Sequence, residues 1–156
     1  MAMIQEGKKA PDFTLPSSEG GNVSLKKLRG KPVVLYFYPK DDTPGCTREA
    51  CAFRDSQAAL KKKGATVLGV SGDSIASHEK FTGKYKLNFP LLTDADREVA
   101  KKYGAWGEKV LYGKKSIGMI RSTFVIDAEG VVRKVFPRVR VDGHADQVLK
   151  ALDELS

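Results

Sequence analysis

The chain is short of cysteine, histidine and tryptophan, with two, two and one respectively, and nowhere approaches the ~20 apolar residues that cross a bilayer. Two cysteines cannot build a disulfide scaffold, so a packed core must hold the fold. A reduced, cytoplasmic, thiol-based role is therefore expected. His78 and His144 stand far from each other and from both cysteines, which leaves no zinc-ligand spacing, and both are expected on solvated surface. The stretch Met1–Lys9 lacks the apolar centre of a signal peptide. No repeat, low-complexity tract or linker divides the sequence, so residues 1–156 read as a single domain.

Acid is the scarcer charge. Against 27 basic residues there are 19 acidic ones, a net charge of +8, which raises the question of nucleic acid. The cations are dispersed, from Lys26, Lys27 and Arg29 through Lys61–Lys63 to Lys114, Lys115 and Arg133, and many are mixed with acids. Charge alone supports only weak, salt-sensitive association, so no specific nucleic-acid binding is expected. A basic, non-enzymatic binding module remains the non-catalytic alternative.

The informative stretch runs from Pro39 to Cys51. Ahead of it, Val33-Val34-Leu35-Tyr36-Phe37-Tyr38 is continuously apolar, as in a strand buried on both faces. Pro39 ends that strand because it has no ladder donor. Thr43 suits an N-cap and Pro44 the first helical position, which puts Cys46 third in the helix. Unpaired amides and the positive end of the helix dipole favour thiolate over thiol there. The bland alternative, an inert packed thiol, is outweighed by this strand–loop–helix corner, by the preceding Thr43 and by the flanking Arg48.

Cys51 follows five positions later. On an intact helix, residues at that spacing have Cα atoms about 8.7 Å apart, beyond the ~7 Å that a disulfide can span. A bond between Cys46 and Cys51 thus requires the first turns of the helix to unwind. Cys51 can equally be a core residue of the helix, and the two readings are compatible.

Elsewhere, Phe13 to Leu25 reads as a hairpin and Leu25–Leu28 as a short turn. The cysteine helix runs to about Lys63, a strand covers Thr66–Ser71, and Ser74 caps a helix through Tyr85. Pro90–Thr93 is extended, and a helix spans about Asp94 to Tyr103. Residues 104–120, with Trp106 and Tyr112, read as glycine-rich and irregular. Ser122–Asp127 and Val131–Phe136 are strands, and Val148, Leu149, Leu152 and Leu155 mark a terminal amphipathic helix. This order predicts an α/β thioredoxin-like fold, a central mixed β-sheet flanked by helices, with Cys46 at the carboxyl end of a strand.

The pattern Pro39-x-x-x-Thr43-x-x-Cys46 resembles the signature of peroxiredoxins. Cys51, Tyr103-Gly104-Ala105-Trp106-Gly107-Glu108-Lys109 and Arg121-Ser122-Thr123-Phe124-Val125-Ile126-Asp127 resemble the bacterioferritin comigratory protein, or peroxiredoxin Q, subgroup, from about Gly7 to the C-terminus. The resemblance implies a peroxidase for hydrogen peroxide and organic hydroperoxides, with thioredoxin or a similar dithiol as reductant and no prosthetic group, flavin or metal. It implies Cys46 as nucleophile and Cys51 as the thiol that resolves its sulfenic acid. Thr43 and Arg121 would bind thiolate and peroxide, Glu49 would orient Arg121, and Pro39 would shape and dry the pocket. Phe37, Tyr38 and Trp106 are either pocket walls or core. Without a second cysteine near the C-terminus, an intersubunit disulfide is not expected and a monomer is. The rival enzyme, a protein dithiol–disulfide oxidoreductase, calls for Cys-x-x-Cys rather than the Cys-x₄-Cys present here.

Overall fold

The computed structural model describes residues 3–111 and 113–155; Met1, Ala2, Tyr112 and Ser156 lie outside the described residues. A small antiparallel hairpin, β1 (Thr14–Pro16) with β2 (Asn22–Ser24), leads into a 3-10 turn at Leu25–Leu28. Then follow β3 (Val33–Phe37), α1 (Pro44–Asp55), α2 (Gln57–Lys62), β4 (Thr66–Ser71), α3 (Ile75–Tyr85), β5 (Leu91–Thr93) and α4 (Glu98–Tyr103). A second hairpin, β6 (Trp106–Leu111) and β7 (Lys114–Met119), precedes β8 (Ser122–Ile126), β9 (Val132–Phe136) and α5 (His144–Asp153).

The five-stranded sheet has the order β5-β4-β3-β8-β9. Strands β4 and β5 run parallel to β3, whereas β8 is antiparallel to it, so the sheet is mixed as expected. Every residue of β3 is buried, and its side chains alternate between two cores. Val34 and Tyr36 join Phe53 of α1, Phe81 of α3 and Val148 and Leu152 of α5. Val33, Leu35 and Phe37 pack against Val99, Ala100 and Tyr103 of α4 and against Phe13 and Leu25. Each such side chain contributes about 1.5–3 kcal/mol on burial, which makes β3 the rigid platform of the molecule. Gly69 of β4 leaves room for this packing, since a Cβ there would fall 2.9 Å from the Tyr36 ring.

Four expectations need correction. Residues 106–119 form a regular hairpin, with Gly107 paired to Gly118. Its outer residues are wet, Val110 being 62% and Ile117 72% exposed, so no buried stripe advertises the strands in the sequence. The long cysteine helix is interrupted at Ser56, which separates α1 from α2. Helix α4 starts at Glu98 rather than about Asp94. Asp94 instead caps it from outside, accepting from the amides of Val99 (3.3 Å) and Ala100 (2.9 Å). The two histidines are not solvated: His78 is 0% and His144 2% exposed, and both are held by polar partners in the interior.

Candidate active site

The carboxyl end of β3 delivers the chain into the loop Tyr38–Thr43, and α1 begins at Pro44. Thr43 occupies the N-cap position in extended conformation, and its carbonyl accepts the first helical bond from the Thr47 amide at 2.8 Å. Its side chain makes no capping bond. The Thr43 hydroxyl donates instead to the Lys40 carbonyl at 2.9 Å, which closes the loop on itself. That proton is committed, and the oxygen lone pairs remain free to accept.

Cys46 is the third residue of α1 and only 1% exposed, packed in the same core as Tyr38 and Phe53. Its sulfur faces Arg121, whose Nη2 lies 3.2 Å from Sγ. The register of the sheet makes this contact: Phe37 pairs with Ser122, so Arg121 comes level with the end of β3. The Arg121 carbonyl is held by the Val139 amide at 2.8 Å. Gly45 leaves the space the guanidinium occupies, because a Cβ there would sit 3.0 Å from Nη2.

Glu49, one turn beyond Cys46, is 1% exposed. Its Oε1 accepts from Arg121 Nη1 at 2.8 Å, while Oε2 has no hydrogen-bond partner among the described residues. Burial pushes its carboxyl up to about 7, against the opposing pull of Arg121. Arg121 is held above its ordinary value because Glu49 and Cys46 more than offset the burial that disfavours its charge. The forked guanidinium thus binds carboxylate and sulfur with separate nitrogens, which an ammonium cannot imitate.

Cys51 lies half-buried on the same unbroken helix, and both sulfurs are free. Pro39 is half-buried just after β3. Of the three aromatics considered as walls, Tyr38 shares the Cys46 core, Phe37 belongs to the opposite core, and Trp106 packs beside that second core under Arg97 at 5.6 Å. Among the described residues no group of three or more His, Cys, Asp or Glu is arranged to hold a metal ion. Sequence reasoning brought Cys46, Arg121 and Glu49 together. It missed Gly45, Asp41 and His78. The spacing of His78 and Phe81, three apart on α3, is the signal that marks His78 as inward-facing.

A buried sulfur, a guanidinium at hydrogen-bond distance and a buried carboxylate behind it form a centre for thiol chemistry on an anionic or polar oxidant. The AhpC/TSA family model matches residues 6–135, and the chain belongs to that family. Within it the chain is a peroxiredoxin of the bacterioferritin comigratory protein and peroxiredoxin Q subgroup, a thiol-dependent peroxidase. Chloroplastic peroxiredoxin Q of Suaeda salsa is 47% identical over 156 residues, covering 99% of this chain and 71% of the relative. Peroxiredoxin Bcp of Bacillus subtilis is 44% identical over 153 residues and 98% of each chain. The solved bacterioferritin comigratory protein of Xanthomonas campestris is 39% identical, covers 97% of this chain and 99% of its own, and superposes with a TM-score of 0.89. The family acts on hydroperoxides with thioredoxin-like reductants. No helix among the described residues is long and apolar enough to cross a membrane.

Proposed function

We propose that Cys46 is the attacking sulfur of this peroxidase and that Cys51 resolves its oxidised form within the same chain. The observation that carries the reading is the 3.2 Å contact between Arg121 Nη2 and Cys46 Sγ at the start of α1. The Cys46 thiolate attacks the terminal oxygen of the hydroperoxide, a sulfur–oxygen bond forms, and the oxygen–oxygen bond breaks. The departing oxygen takes the bonding pair and is protonated to water or an alcohol. Arg121 and the amides at the start of α1 are fixed donors aimed at the charge that develops in this step. Thr43 accepts a hydrogen bond from the hydroxyl of the bound peroxide, Pro39 keeps the pocket dry, and Glu49 holds Arg121 in place.

The product is a sulfenic acid on Cys46. Unwinding of the first turns of α1 brings Cys51 to it; the disulfide forms and water leaves. An external dithiol such as thioredoxin then reduces the disulfide by exchange through a mixed disulfide. Substrates are hydrogen peroxide and organic hydroperoxides. The bacterioferritin comigratory protein of Xanthomonas campestris has alkyl peroxide reduction activity, and the apolar core around Cys46 suits the same class here. We assign the chain a single domain, supported by the one five-stranded sheet that carries both cores, a monomeric state, and a cytoplasmic location, which suits a chain with two free thiols. Cys46→Ser tests the assignment: loss of essentially all hydroperoxide consumption is expected, and retained turnover rejects Cys46 as nucleophile.

A further inference from the structure

The loop that carries Thr43 into α1 is fastened from below by a buried polar cluster that the peroxidase chemistry does not use. Asp41, 7% exposed, accepts at Oδ1 from the Tyr38 hydroxyl (2.6 Å) and at Oδ2 from the Ser77 hydroxyl (2.8 Å). His78 Nδ1 lies 2.7 Å from the same Oδ2. On the far side of the ring, Nε2 lies 3.0 Å from the Leu92 carbonyl. A carbonyl can only accept, so Nε2 carries a proton and donates to it, and Nδ1 is turned to Asp41. The backbone of the loop is tied as well, because the Asp41 amide donates to Asp73 Oδ2 at 2.8 Å, and Ser71 donates to that oxygen at 2.7 Å.

The next residue extends the fastening. Asp42 has a left-handed backbone (φ 59°) and accepts from Lys84 (2.9 Å) and the Tyr85 hydroxyl (2.7 Å) at the end of α3. The other end of α1 is held by the same region: Arg54 Nη1 donates to the Tyr85 carbonyl at 2.6 Å, and Asn88 donates to the Arg54 carbonyl at 3.3 Å. Between these fastenings lie both cysteines. Cys46 has the Arg121 contact, and Cys51 is a half-buried free thiol.

We propose that the Asp41–His78 pair is the anchor that confines the opening of α1 to the stretch between Asp42 and Arg54, and so positions Cys46 and Cys51 for the step that joins them. The inference rests on the reading in which α1 unwinds between the two sulfurs. Asp41 and His78 are positioning residues; neither touches the reacting atoms. With both ends of the stretch fixed, a melted α1 cannot drag Pro39 or β3 with it. Its two sulfurs remain within one short, closed loop, where their effective concentration is high. If the loop let go together with the helix, the peroxide pocket would dissolve and rebuild in every turnover.

Amide hydrogen exchange in the reduced protein, without peroxide, tests the anchor directly. In His78→Leu, Asp41 loses its Nδ1 partner. A hydrogen bond to a charged group shifts such an opening equilibrium by about tenfold or more, so the α1 amides are expected to exchange faster by that factor. Amides of α5 are expected to keep their wild-type rates. His78→Asn, whose side-chain amide can reach Asp41 in place of the ring nitrogen, should restore most of the protection. In a peroxide pulse, His78→Leu should close its Cys46–Cys51 disulfide more slowly than wild type, so a larger share of Cys46 is driven on to sulfinic acid. Unchanged exchange in α1, or an equal acceleration in α1 and α5, overturns the proposal. Should His78→Leu not fold, Ser77→Ala removes another Asp41 donor and must give the same selective pattern at smaller size. Failure of the peroxidase reading appears elsewhere, as a wild-type protein that forms no Cys46–Cys51 disulfide.

Discussion

Arg121 Nη2 stands 3.2 Å from Cys46 Sγ although 75 positions separate the two residues. The antiparallel pairing of β8 with β3 makes this meeting possible, and Glu49 fixes it by taking the second arm of the guanidinium at 2.8 Å. Two side chains of one helix thus share the single cation at the entry of a strand.

Arg121→Lys keeps the charge and loses the fork. The rate of Cys46 oxidation by hydrogen peroxide, followed in single turnover, should fall about 10²-fold, as when one preorganised donor is removed from a site of developing charge. A rate within a factor of two of wild type would show that charge alone suffices.

Gly45→Ala places a methyl 3.0 Å from Arg121 Nη2. The far end of a long side chain can yield, so stability should change by less than about 1 kcal/mol. The guanidinium must shift from the sulfur, however, and the single-turnover rate should drop by about tenfold. Urea unfolding and stopped-flow oxidation of the same sample separate the two effects.

Glu49 ties stability to pH. Burial raises its carboxyl from an ordinary 4.5 to about 7, so between those values the folded chain holds a proton that the unfolded chain has released. Stability from this group is present below about 4.5 and is lost as pH rises toward about 7, amounting to about 3 kcal/mol in all. Glu49→Gln should lack this slope. The difference in urea midpoint between Glu49→Gln and wild type, measured from pH 4.5 to 8, should widen with pH and then level off.

Cys51→Ser leaves the attack intact and removes the partner. It should consume one equivalent of hydroperoxide at the wild-type rate, then stall with thioredoxin as donor and accumulate sulfinic acid at Cys46 under excess peroxide. Steady-state turnover equal to wild type would remove Cys51 from the cycle.

Much of the framework was legible in the residues. The apolar run from Val33 and the strand Thr66–Ser71 follow from burial on both faces, and Ser74 caps α3 as expected, its hydroxyl accepting from Ser77 N at 3.1 Å. Local chemistry also places Cys46 third in its helix. What escaped depends on partners distant in the chain. The hairpin β6–β7 has wet outer residues and paired glycines, so its alternation carries no apolar signal. The Thr43 hydroxyl could cap the helix or close its own loop, and only the path of Lys40 decides for the latter. His78 and His144 look like surface residues until Asp41 and Leu92 enclose one and Thr123 meets the other at 2.8 Å. Burial then holds His144 below its ordinary value.

The central claim is that Cys46 is oxidised first and that Cys51, out of reach on the wound helix, joins it only after α1 opens. Reduced protein treated with one equivalent of hydroperoxide and digested without reductant should yield a single bridged peptide containing Cys46 and Cys51, with α1 amides losing protection in step. Full oxidation with no such peptide, or a bridge formed while α1 stays fully protected, would contradict it.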